Sequence, residues 1–160
     1  MTANDALELD DFDNVEDSSD RRLGVFLAVA GAIGALASSV LTIDKIALLE
    51  ATVAGTTKNL ACDINPFISC SSVLQSQQAS AFGFPNPFIG IIAFSVLMTL
   101  GVVLASGAQL PRWIWAGMQA GAVFGAVFIS WLQFESIFQL RVLCPWCMVV
   151  WTVTIPAVVL

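Results

Sequence analysis

The chemistry in this 160-residue sequence rests on four cysteines, because the chain contains no His and no Tyr. Two of them form Cys144-Pro145-Trp146-Cys147, a C-x-x-C with proline after the first cysteine. If Cys144 is an N-cap, Pro145 takes the first helical position, where its missing N–H costs nothing. Cys147 then falls in the first turn, where free backbone N–H groups and the helix dipole favour a thiolate. Arg141, one turn earlier, adds positive charge. This is the setting of a reactive redox dithiol. A static disulfide is the competing reading, but half-cystines three residues apart close a tiny loop and restrain little. Zinc is the other use of four cysteines; one pair is eight apart, no His is available, and metal would quench both thiol pairs, so no metal site is expected.

Cys62 and Cys70 flank Asp63-Ile64-Asn65-Pro66-Phe67-Ile68-Ser69, a polar-to-apolar stretch that suits a shuttle with one thiol toward solvent and one inward. The same spacing suits a disulfide that merely stabilises a loop, and both readings stand at this point.

The elements that must position these residues are membrane helices. With 58% hydrophobic and 11% charged residues, the sequence is too apolar for a soluble globule of its size. Four stretches lack Asp, Glu, Lys and Arg: about 23–43, 88–108, 113–134 and 142–160. Each approaches the roughly 20 residues that cross a bilayer. The fold class expected is an all-α integral membrane protein, a four-helix transmembrane bundle with an extracytoplasmic loop that contains a short helix. The last stretch reaches Leu160 without a polar or basic flank, which leaves room for a fifth helix beyond it.

Residues 1–20 carry eight acidic side chains and no usable periodicity, and are expected to be a disordered tail. Acid precedes Arg21 and Arg22 and a full-length span follows, which is not the plan of a cleaved signal peptide. Residues 21–160 make the membrane domain. Arg21, Arg22 and Arg112 fall on one side of the bundle and Lys45, Lys58 and Arg141 on the other, a tie broken by the two arginines abutting the first span. The N-terminus is therefore placed in the cytoplasm and every cysteine on the extracytoplasmic side, where disulfides persist.

The segment 44–87 is too long for a bare turn. Ser72 followed by Gln75 reads as a capping box, which predicts a short helix from Ser72 to about Ser80, ended by Gly83 and Pro85. Residues 135–141 read as a short external loop and 106–112 as a cytoplasmic one. Gly117, Gly121 and Gly125 in span three, and Ala30, Gly34 and Ser38 in span one, form small-residue rows. Such rows are read as close helix packing rather than as a cofactor groove.

The combination of Cys62-Asp63, Ser69-Cys70-Ser71, Ser76 six places later, and C-x-x-C opening the last span resembles the vitamin K epoxide reductase family, over about residues 23–160. The order of motifs separates it from the other bacterial family of quinone-coupled disulfide generators, where the C-x-x-C comes early. The resemblance implies a four-helix bundle around a quinone of the menaquinone or vitamin K type, or ubiquinone. It implies that Cys147 meets the quinone, Cys144 exchanges with Cys70, and Cys62 meets a reduced thioredoxin-fold partner. Ser76 and Asn86 are implied near the quinone, although each also reads as an ordinary helix or turn polar residue. Trp151 stands where animal relatives have a tyrosine and is implied at the same site. With Pro145 and the acidic tail, it brings the sequence closer to bacterial members that oxidise partner thiols. The expected function is thus a quinone-dependent thiol oxidoreductase of the plasma membrane, supporting disulfide-bond formation. The alternatives are a vitamin K epoxide or quinone reductase and a tetraspan scaffold with structural disulfides. No nucleic-acid partner is expected.

Overall fold

The computed structural model describes the backbone of residues 3–65 and 67–159 and the side chains of residues 19–65 and 67–157. It is all-helical among the described residues: α1 (Ala3–Val53), α2 (Cys70–Gln75), a 3-10 turn (Gln77–Ser80), α3 (Pro87–Ala105), α4 (Arg112–Phe134) continued by a π-helical segment (Glu135–Leu140), and α5 (Pro145–Val159).

Among the described residues, three stretches are long and apolar enough to cross a membrane: Ser19–Val53, Pro87–Ala105 and Arg112–Leu140. The fourth expected span is shorter, the apolar helix Pro145–Ala157 within α5. It begins at Pro145 rather than at 142 because Val142 and Leu143 are drawn into loop hydrogen bonds, and Leu160 lies outside the described residues. Large apolar side chains such as Val29, Leu36, Ile92, Val102 and Val127 are exposed, as lipid-facing positions require.

Helix α1 exceeds the sequence expectation at both ends. It continues ten residues past Ile43, so the first ten residues of the segment expected at 44–87 are helical. Asp44, Lys45 and Glu50 end the apolar run but are tolerated in helices, and Leu48 is buried to 3% exposure in the core that surrounds the cysteines. Toward the N-terminus the helical backbone reaches Ala3, through the stretch expected to be a disordered tail. Propagation from an existing helix avoids the cost of nucleation. The side chains of residues 1–18 lie outside the described ones.

α1 and α3 are the most intimate pair and run antiparallel, with Arg21 Nε donating to the Ala105 carbonyl at 3.4 Å. Their contact is built on absent side chains. A Cβ at Gly31 would meet the backbone of Met98, and one at Gly101 the backbone of Ala28. Gly34 lies against the Phe94 ring and Gly90 against Ser38. The row on α1 is therefore packing, as expected. α5 packs on α1 and on α4, whereas α3 and α4 stand apart.

The short helix of the inter-span segment differs from its expected bounds. It starts at Cys70 with Ser69, not Ser72, as the N-cap, the Ser69 Oγ accepting from Ser72 N–H at 3.3 Å. It stops at Ser76, whose extended backbone (φ −63°, ψ 153°) separates α2 from the 3-10 turn. The expected loop 135–141 is likewise a π-helical continuation of α4, closed by Arg141 in the left-handed conformation (φ 54°).

Candidate redox site and cavity

Residue 63 organises the segment that carries the first cysteine pair. Asp63 Oδ1 accepts from Ser69 Oγ at 2.7 Å and Ser71 N at 3.1 Å, and Oδ2 from Ser71 Oγ at 2.7 Å and Leu60 N at 2.9 Å. Burial pushes the Asp63 carboxyl up, but these four hydrogen bonds together hold it well below the usual carboxylate range. Asp63 thereby presents Ser69 as the cap of α2 and fixes Cys70 at the first helical position.

Cys62 and Cys70 form a disulfide, with Cα atoms 5.7 Å apart. A two-rung backbone clasp then sets this pair against the C-x-x-C. Leu143 N–H donates to Phe67 O at 2.9 Å, and Ser69 N–H donates to Leu143 O at 3.1 Å. Residues 69 and 143 immediately precede Cys70 and Cys144, so the clasp carries the two sulfurs together. Cys144 Sγ lies 3.3 Å from Cys70 Sγ, and both side chains are fully buried.

The N-cap expectation for α5 holds, since Cys144 O accepts the first helical bond from Met148 N–H at 3.1 Å. The first-turn N–H groups of Trp146 and Cys147, however, are directed at Cys144 sulfur, because an N-cap side chain and not a first-turn one meets them. Cys147 is in side-chain hydrogen-bond contact with Cys144 and also lines a cavity. Arg141, expected to add charge here, is exposed and acts as the left-handed terminator of the π-helical segment. The disulfide, Cys144, Leu41, Leu48, Leu60 and Leu74 form one buried cluster, with Val73, Trp146 and Cys147 packed against it. Water is thus kept from the sulfurs of Cys70 and Cys144.

The cavity has a volume of about 660 Å³ and lies between α3 and α4, roofed by α2 and the 3-10 turn and backed by α5. Gly117, Gly121 and Gly125 line it, and a Cβ on any of them would meet nothing within 4 Å. This overturns the packing expectation for the α4 row. α3 and α4 are separated, so the absent side chains deepen a groove instead of closing a contact.

Ser76, Asn86, Cys147 and Trp151, the residues singled out from the sequence, all line this cavity. Their hydrogen bonds distinguish them. Ser76 Oγ donates to Val73 O at 2.7 Å, so it offers the cavity lone pairs. Asn86 Nδ2 donates to Gln78 O at 2.6 Å, and its Oδ1 accepts from Ala81 N–H at 3.1 Å. It is first a clamp on the 3-10 turn, retaining one N–H and one lone pair. Trp151 contributes an indole and its single donor.

Three contributors were not picked out from the sequence. Lys45, 7% exposed, donates from Nζ to Leu74 O and so holds α2 down on α1. Asp44 Oδ2 lies 4.0 Å from Cys62 Sγ. Glu135 lines the cavity and accepts from Gln78 Nε2 at 3.3 Å. The only signal was that each is a charged residue at the boundary of an apolar run, which by itself reads as a solvated helix end.

A cavity of this size with a mostly apolar wall and a few polar groups suits a flat, lipid-soluble ring. Compared with known families, the chain matches the vitamin K epoxide reductase family over residues 25–160.

Proposed function

Since the chain belongs to the vitamin K epoxide reductase family, whose members are quinone-associated membrane oxidoreductases, we propose that it carries electrons from a reduced thioredoxin-fold partner to a quinone. In this reading α1, α3, α4 and α5 form a four-helix transmembrane bundle in the plasma membrane. The N-terminus is cytoplasmic, and the end bearing the cysteines faces the extracytoplasmic side.

The observation that carries the reading is a line of sulfur from the Cys62–Cys70 disulfide, across 3.3 Å to Cys144, to Cys147 on the cavity wall. The partner dithiol reduces Cys62–Cys70 and leaves as a disulfide. With the inner pair oxidised, Cys70 thiolate attacks Cys144 Sγ and displaces Cys147 as thiolate. Cys62 then attacks Cys70 Sγ and releases Cys144. The result is an oxidised outer pair and a reduced inner pair. A bound quinone of the menaquinone, vitamin K or ubiquinone type supplies an acceptor for two electrons and two protons. Cys147, facing the cavity, and Cys144, beside it, then close to a disulfide. Ser76, Asn86 and Trp151 would hold and orient the ring, and the apolar wall excludes water.

The test is quinone reduction by a dithiol donor with purified protein in lipid, wild type against Cys147→Ser. Reduction by wild type that the substitution abolishes is expected. No reduction by folded, quinone-supplied wild type would leave a scaffold with a structural disulfide.

A further inference from the structure

Sulfur accounts for electrons, but the reaction also moves protons. Oxidising Cys144 and Cys147 to a disulfide releases two electrons and two protons, and reducing a quinone to a hydroquinone consumes two of each. The electrons pass at Cys147, whereas protons must arrive at oxygens on two sides of a ring. Among the described cavity-lining residues the titratable groups are Cys147 and one carboxylate, Glu135.

Glu135 is set into the wall by backbone geometry. It begins the π-helical segment Glu135–Leu140, and π turns inside long helices commonly re-aim side chains at functional sites. The adjoining Ser136 stabilises the switch, its carbonyl accepting from Val142 N–H at 3.2 Å while its hydroxyl donates to Val142 O. The carboxylate faces no cation in the lining. Of the neighbouring charges, Lys45 is bonded to Leu74 O and Arg141 is exposed beyond the π turn. Its partner is the neutral side-chain amide of Gln78, a residue whose backbone carbonyl accepts from Asn86 Nδ2. A carboxyl with an amide donor on one side and a cavity on the other can both give and regain a proton. A residue serving only as a solvated helix end would need neither.

We propose that Glu135 is the proton-transfer residue of this cavity. This rests on the quinone-reductase reading above. The protonated carboxyl gives its proton to an oxygen of the bound acceptor and becomes a carboxylate. It is then reprotonated from water at the cysteine end of the bundle, the water that also receives the protons released by the thiols, so the overall exchange balances. Gln78 is a positioning residue that holds the carboxylate at the cavity edge.

Wild type, Glu135→Gln and Glu135→Asp are compared in lipid with menaquinone. Glu135→Gln is expected to slow reduction about 100-fold, in the range for loss of a positioned acid–base group. Quinone binding, read by quenching of tryptophan fluorescence, and transfer from Cys62/Cys70 to the inner pair, read by thiol alkylation, stay at wild-type levels. Glu135→Asp restores part of the rate. Independently of turnover, the infrared difference spectrum on adding quinone contains a deuterium-sensitive carboxyl band in wild type and lacks it in Glu135→Gln. Equal reduction rates and identical infrared spectra for wild type and Glu135→Gln would overturn this assignment while leaving the proposed function intact. Loss of quinone binding in Glu135→Gln would overturn it in favour of a structural role. A wild type that binds no quinone and reduces none would instead overturn the proposed function.

Discussion

Cys144 Sγ sits 3.3 Å from Cys70 Sγ although the two residues are 74 apart in sequence. The contact is made by two hydrogen bonds one residue upstream, between Leu143 and the strip from Phe67 to Ser69, and is sealed by the buried cluster around it. Two pairs of cysteines far apart in sequence thereby adjoin.

The double variant Cys62→Ser, Cys147→Ser leaves only the two apposed sulfurs. Mild oxidant is expected to join them in nearly all molecules, read by mass after alkylation. Persistent free thiols would show that Cys70 and Cys144 do not meet.

Cys62→Ser is expected to stop oxidation of a thioredoxin-fold partner while a small dithiol, able to enter the cavity that Cys147 lines and reduce the inner pair directly, still drives quinone reduction. Equal loss with both donors would point to damage to the loop rather than loss of an entry thiol. The same protein in sealed vesicles should react with membrane-impermeant thiol reagents from the extracytoplasmic face alone.

The two glycine rows should respond oppositely to a methyl group. Gly31→Ala drives a Cβ into the Met98 backbone and is expected to cost about 1–3 kcal/mol, the range for overpacking. Gly121→Ala meets open cavity and should leave thermal stability unchanged or slightly raised, while Gly121→Leu should weaken quinone binding without unfolding the protein. Equal destabilisation at both positions would mean that α4 packs as tightly as α1.

Asp63 gives the redox segment an acid limit. Its carboxyl is held below the usual range in the folded protein, so its contribution is present above the unfolded value, about 3.9, and is lost as pH falls through the folded one. Asp63→Ala should therefore raise hydrogen exchange at the Leu60 and Ser71 amides at neutral pH. The difference from wild type should shrink in strong acid. Unchanged exchange would mean that the Cys62–Cys70 disulfide alone orders the segment.

Much of the architecture was legible because it depends on local sequence. Apolar runs of bilayer length located the three candidate spans and the shorter α5. Pro after a cysteine marked the start of that helix at Pro145, with Cys144 as its N-cap. The resemblance carried by Cys62-Asp63, Ser69-Cys70-Ser71 and the C-x-x-C was enough to identify the family. Helix ends were less legible. The reach of α1 to Val53 follows from burial of Leu48 against residues far along the chain, and the start of α2 follows from an Asp63 carboxylate that captures Ser69 before Ser72 can act as cap.

The sequence by itself determined that this is a helical membrane protein with its cysteines grouped at one end, because hydropathy and helix capping are properties of neighbours along the chain. Only the tertiary structure decided which sulfurs meet, which glycine row is a contact and which a cavity, and that Glu135 belongs to the cavity wall. Those outcomes depend on how far apart two helices stand, and that distance is set by the sum of side chains between them rather than by any one stretch of sequence.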